Sequence, residues 1–90
     1  MSANEKDILL KVAQSDPAAF AILFKEYSPK VYTLGLSLTK SSSTAEEMVQ
    51  EIFMKVWENR RQLSDIDFFK SWLRVICTNA CYNHLRKKAN

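Results

Sequence analysis

Apolar side chains return every three or four positions along most of this chain, and polar clusters interrupt them at three places, which predicts helices joined by short connections. Asn4 is placed to cap a short first helix, with Glu5 and Asp7 in its first turn and Ile8, Leu9 and Val12 facing inward as far as about Ser15. Asp16-Pro17 then marks a fresh start, an N-cap carboxylate followed by a proline whose missing N–H costs nothing at the first helical position. From there Phe20, Leu23, Phe24, Tyr27, Val31, Leu34 and Leu38 form one seam. The seam keeps its phase across Pro29, which predicts a kink rather than a break, and Gly35 allows a close helix approach. Lys40 to Ser43 is a polar connector, and Ser43 or Thr44 can cap the next helix in a capping box with Glu46 or Glu47. On that helix Ala45, Met48, Val49, Ile52, Phe53 and Val56 fall within one arc and predict its buried stripe. It runs out through Glu58 to Leu63. After Ser64 to Asp67, with Asp65 or Asp67 as cap, a last helix spans roughly Phe68 to Lys88 and turns Phe69, Trp72, Leu73, Ile76, Cys77 and Ala80 inward.

The expected fold is therefore all-α, a compact bundle of three long helices plus a short N-terminal one, in a single domain of 90 residues. One glycine, two prolines and 47% hydrophobic residues agree with helices and short links. No run is long enough to span a membrane and the first residues lack the apolar core of a signal peptide, so the expected setting is the cytoplasm, without membrane insertion. The net charge of +3 hides an asymmetry: residues 1–40 carry +1, residues 41–59 carry −3 and residues 60–90 carry +5. An acidic middle helix beside a basic last third points to partners of opposite character, with nucleic acid suited to the basic end.

Two helix faces carry candidate chemistry. Opposite the buried stripe of the third helix lie Glu47, Gln50, Glu51, Met54 and Glu58, an acidic patch around an adaptable methionine, the kind of surface that receives a protein partner. On the last helix Phe68, Val75, Asn79, Tyr82 and Arg86 share a flanking arc, and amide, phenol and guanidinium groups beside an aromatic can stack on bases and bond their edges. Cys77, Cys81 and His84 follow one side of that helix at metal-ligand spacing. With no fourth ligand and both thiols at core positions, the expectation is no metal and no other cofactor. Neither a phosphate loop nor a nucleophile with a base is present, so a binding module, not an enzyme, is expected.

The stretch Asp16-Pro17-Ala18-Ala19-Phe20, then Leu23-Phe24 and Tyr27-Ser28-Pro29-Lys30-Val31-Tyr32, resembles the opening of region 2 of bacterial RNA polymerase sigma factors of the extracytoplasmic function (ECF) group in the sigma-70 family. Ala45 to Trp57 is similar to that group's core-binding helix, with Glu47 where Asp is usual and Met48 where Leu is. Phe69-Lys70-Ser71-Trp72-Leu73, with Ile76, Asn79 and His84-Leu85-Arg86-Lys87, resembles its promoter-recognition helix. The resemblance spans Asp16 to Lys88 and implies residues 1–90 as a region 2 domain. It implies docking of Glu47, Gln50, Glu51, Met54 and Glu58 on the β′ clamp helices of core RNA polymerase. It further implies recognition and melting of the promoter minus-ten element, on its non-template strand, by the last helix and the loop before it. Asn79 matches a recurring polar position and Asn83 stands where Asp is usual; Arg60, Arg61, Lys70, Arg74, Arg86 and Lys87 become candidates for phosphates, and Phe68 and Tyr82 for stacking. Val75 and Thr78 replace residues that are commonly basic, and the loop from Leu63 to Phe68 has no distinctive match. An anti-sigma factor is a further implied partner. Region 4, the helix-turn-helix domain to which such factors continue, is not found in these residues, so weak binding to duplex DNA is expected of them alone. The alternative is a helical protein-interaction module that keeps the fold without promoter recognition; an autonomous duplex-binding regulator lacks a helix-turn-helix signature.

Overall fold

In a computed structural model the chain is a bundle of helices with no strand among the described residues, which are 2–89 for the backbone and 5–87 for side chains. The elements are α1 (Ser2–Ala13), α2 (Pro17–Thr39), α3 (Ser42–Glu58), a 3-10 turn (Arg60–Gln62) and α4 (Ile66–Ala89). This is the all-α architecture expected. Because α1 already begins at Ser2, Asn4 lies inside the helix rather than capping it, and its side chain falls outside the described residues.

The α1–α2 corner follows from local chemistry. Ser15 adopts a left-handed backbone (φ 69) that reverses the chain, and Asp16 then caps α2 by accepting from the N–H groups of Ala18 (3.0 Å) and Ala19 (3.3 Å). α2 continues through Pro29 as one helix, with the proline on its exposed side. Its buried line is Ala19, Leu23, Tyr27, Val31, Gly35 and Thr39. Phe24 and Leu38, expected in the seam, are instead exposed at 40% and 44%, because α2 carries more apolar residues than its buried line can cover.

Lys40 closes α2 in a left-handed conformation (φ 59), and this sharp turn leaves Ser41 as the cap of α3, its hydroxyl 3.2 Å from the N–H of Thr44. The expected cap at Ser43 or Thr44 is therefore moved upstream. Thr44 is a buried residue of the first turn, and neither Glu46 nor Glu47 closes a capping box. For α4 the cap is Asp65, which accepts from the N–H of Phe68 at 2.9 Å, so α4 starts slightly before the expected Phe68.

The core gathers Leu9 and Val12 of α1, the α2 line, Met48, Ile52, Phe53 and Val56 of α3, Leu63 of the connector, and Phe69, Leu73, Cys77, Ala80 and Cys81 of α4. α2 and α3 pack tightly at Gly35, where an added Cβ would sit 3.1 Å from Met48 Sδ and 3.3 Å from Ala45 Cα. Among the described residues no helix is long and apolar enough to cross a membrane.

Candidate functional site

Burying Ala45, Met48, Ile52, Phe53 and Val56 fixes the rotation of α3, and the same rotation sends Glu47, Gln50, Met54 and Glu58 outward. Met54 is 63% exposed. Glu51 differs from its neighbours on this face, since it is half-buried and its Oε1 lies 3.1 Å from His84 Nε2 on α4. That contact ties α3 to the C-terminal half of α4.

Beside this face runs an apolar groove, of whose aromatic residues the sequence pattern assigns Phe20, Phe24 and Phe53 to the core. Phe20 and Phe24 of α2 and Phe53 and Trp57 of α3 form its wall, with edge-on ring pairs at 5.0 Å (Phe24–Phe53), 5.1 Å (Phe20–Trp57) and 6.4 Å (Phe20–Phe53). Met54, Gln50 and Glu58 edge a hollow of about 440 Å³ there. A second hollow of the same size continues past Phe24 and Gln50 to Ser28, Tyr32 and Glu46. Phe20, Phe24 and Trp57 are thus candidate contact residues that sequence reasoning missed; the readable signal was an apolar arc on α2 too wide for one buried face.

Arg60 packs on Trp57, one of the walls of the groove. Its guanidinium stacks over the Trp57 ring (4.2 Å to the centroid), and it donates to the Trp57 carbonyl (2.7 Å) and to Ser15 Oγ (2.9 Å). Two of its donors are thereby committed within the fold, whereas the adjacent Arg61 is exposed.

The second candidate face is the outward strip of α4. Phe68 (51% exposed), Val75 (56%), Asn79, Tyr82 (63%) and Arg86 stand opposite the buried line Phe69, Leu73, Cys77 and Ala80. At about 1.5 Å per residue, Phe68 and Tyr82 are roughly 21 Å apart along the helix. Arg86 donates to Asn83 Oδ1 at 2.8 Å, and Lys87 lies exposed beyond them. Lys70 and Arg74 are not on this strip. By helical periodicity they are rotated by more than about 100° from it, toward α2, where they line a separate hollow with Lys30.

Cys77 and Cys81 are free thiols in the core. Burial pushes the Cys77 thiol up to about 11, with the neighbouring Cys81 adding to it, and burial likewise raises Cys81. Cys81 Sγ lies 3.8 Å from Met48 Sδ while His84 is engaged by Glu51, so the thiols and imidazole do not converge on one point. Among the described residues no cluster of three or more His, Cys, Asp or Glu is arranged to hold a metal ion.

Comparison with known proteins agrees with this geometry. Residues 23–90 match the family model for Sigma-70 region 2. The chain is 29% identical over 90 residues to the ECF RNA polymerase sigma factor SigK of Mycobacterium tuberculosis, covering 96% of this chain and 46% of the relative. It is 30% identical over 83 residues to the ECF RNA polymerase sigma factor SigW of Bacillus subtilis, covering 92% of this chain and 44% of the relative. To the RNA polymerase sigma-H factor of Pseudomonas aeruginosa it is 26% identical over 82 residues, 91% of this chain and 42% of the relative. The chain spans just under half the length of these relatives. With the family model covering α3, α4 and most of α2, the chain belongs to the sigma-70 region 2 family, of the ECF type.

Proposed function

We propose that this domain serves transcription initiation by docking on the β′ clamp helices of RNA polymerase through the α2–α3 groove and the acidic face beside it, and by recognising and melting the promoter minus-ten element through α4. The observation that carries the reading is the juxtaposition of an apolar groove with Met54, exposed in mid-face, and with Glu47, Gln50 and Glu58. An apolar centre with a charged rim is the usual anatomy of a protein interface. On the nucleic-acid side, Phe68 and Tyr82 supply stacking surfaces, Asn79 and Asn83 supply amides for base edges, and Arg86, Lys87 and Arg61 supply cations for the non-template strand. An anti-sigma factor would act on this domain by competing for one of these faces.

The test is binding of residues 1–90 to a purified β′ clamp-helix fragment at low salt, beside a variant carrying Glu47→Lys and Met54→Ala. Both positions are exposed, so the variant keeps its fold and binding falls by at least about tenfold. Folded wild-type chain that does not bind the fragment sinks the proposal. Wild-type binding to the fragment, with no preference for single-stranded minus-ten DNA at any salt, leaves the interaction-module alternative in its place.

A further inference from the structure

Between α2 and α4 lies a hollow of about 350 Å³ that neither proposed interface uses. Val31, Leu34 and Leu73 give it an apolar floor, while Lys30, Lys70 and Arg74 stand around it. Among the described residues the only acidic group within ion-pair distance of these cations is Glu5 of α1, whose Oε1 is 3.8 Å from Lys70 Nζ. The same oxygen accepts the phenolic proton of Tyr27 at 2.8 Å. One edge of the hollow thus already receives a carboxylate, from the chain's own first helix. Lys30 and Arg74 meet no carboxylate among the described residues.

The two titratable groups in the floor, Tyr27 and Cys77, carry no negative charge, while the carboxylates of Glu5 and Glu26 lie near enough to Tyr27 to help raise its pKa. Burial and the bond to Glu5 hold Tyr27 protonated, and burial holds the Cys77 thiol protonated, so both stay neutral at physiological pH. Nor does the hollow offer a platform for a base. Lys30 Nζ sits over the Tyr27 ring at 5.0 Å, and the ring packs edge-on against Phe69 at 5.3 Å. A phosphodiester backbone satisfies the cations alone, whereas an acidic peptide with an aliphatic side chain also covers the half-buried Leu34, beside the buried Val31 and Leu73.

We propose that the α2–α4 hollow is a second protein-docking site, which receives an acidic segment of a partner by seating one aliphatic side chain against Leu34 and its carboxylates on Lys30 and Arg74, beside the Lys70–Glu5 pair. This goes beyond the polymerase and promoter reading and does not depend on it. It assigns Arg74 to a protein partner instead of to promoter phosphates.

The experiment titrates residues 1–90 with a short synthetic peptide of glutamates flanking one leucine, with the same peptide carrying serine for leucine, and with a single-stranded oligothymidylate of matching charge. The readouts are fluorescence anisotropy and the methyl NMR signals of Val31, Leu34 and Leu73. Saturable binding of the leucine peptide is expected to move those methyl signals, to weaken about tenfold with the serine peptide, and to be lost in a Lys30→Glu, Arg74→Glu variant whose thermal unfolding stays cooperative. Equal binding of the two peptides overturns the proposal. So does tighter binding of the oligothymidylate with the same methyl shifts, which returns the cations to the nucleic-acid backbone.

Discussion

Tyr27→Phe separates a buried hydrogen bond from the packing around it and makes a prediction with a pH signature. Tyr27 is 5% exposed, and its hydroxyl donates to Glu5, whose side chain is 13% exposed. Removing the hydroxyl leaves the ring in place against Phe69 but strips the Glu5 carboxylate of its nearest donor, with Lys70 still 3.8 Å away. Hydrogen bonds to a charged group contribute roughly 1.5–3 kcal/mol, and the remaining lysine brings the expected loss at neutral pH to about 1–2 kcal/mol. In a domain of this size that lowers Tm by about 4–8 °C per kcal/mol.

The pH dependence follows from the same burial. Tyr27 and Cys77 both have their folded pKa raised, chiefly by desolvation, from 10.0 and 9.0 respectively, the latter to about 11. A raised pKa on a group that is neutral when protonated favours the folded state below the unfolded pKa. That contribution is lost as pH rises toward the folded pKa, because the unfolded chain releases the proton first. Below pH 9.0 neither group gives a slope. Above it Cys77 removes up to about 1.4 kcal/mol per pH unit, or roughly 2–3 kcal/mol by the time the folded thiol titrates, and above pH 10.0 Tyr27 adds a slope of the same size. Urea unfolding at stepped pH should show wild type ahead of Tyr27→Phe at neutrality and the gap closing above pH 10.0. A gap that stays constant on both sides of that pH would refute the reasoning, and so would no gap at neutrality.

Substitutions at four further positions test other parts of the fold. Asp16→Ala removes the acceptor for two N–H groups at the start of α2 and should lower stability by about 1 kcal/mol, read as a Tm shift, while Asp16→Asn recovers most of it. Gly35→Ala gains about 1 kcal/mol in helix propensity, yet its Cβ meets Met48 Sδ at 3.1 Å and Ala45 Cα at 3.3 Å. Since Met48 is fully buried and the second contact is backbone, overpacking of roughly 1–3 kcal/mol should win, and thermal unfolding checks the sign. Arg60→Ala should destabilise by about 1–2 kcal/mol through loss of its contacts to Trp57 and Ser15, whereas Arg61→Ala should change stability by less than about 0.5 kcal/mol and reduce the salt slope of single-strand binding by about one.

What could be read from the sequence is what local chemistry decides. Asp16-Pro17 announces α2 because capping and the fixed proline φ act within one turn, and the buried stripe of α3 is recovered because its apolar and polar positions divide cleanly. The cap of α3 is Ser41 and not the expected Ser43 or Thr44, for a physical reason. Ser41, Ser42, Ser43 and Thr44 all carry a hydroxyl able to cap, and the choice among them is made by the left-handed turn at Lys40. In α2 the pattern names which residues are apolar but not which neighbour covers each, so Phe24 falls in the predicted seam although it lies at the open edge of the groove.

The candidate site shows the same boundary between local and tertiary information. Charge counted by segment puts Lys70, Arg74 and Arg86 in one basic tract. Helical rotation puts Arg86 on the aromatic strip and turns the other two toward α2, and the consequence of that turn depends on Lys30, forty residues upstream of Lys70. The pairs that fasten the helices, Tyr27 to Glu5 and His84 to Glu51, lie 22 and 33 positions apart and leave no periodic trace. Yet these pairs decide which charges remain free for partners: Glu51 is engaged and Glu47 is exposed, Lys70 is answered by Glu5 and Arg74 meets no acid among the described residues. A surface charge becomes a binding determinant only after the fold has settled its own pairs, and for this domain that settlement separates an acidic face on α3 from a cationic hollow between α2 and α4.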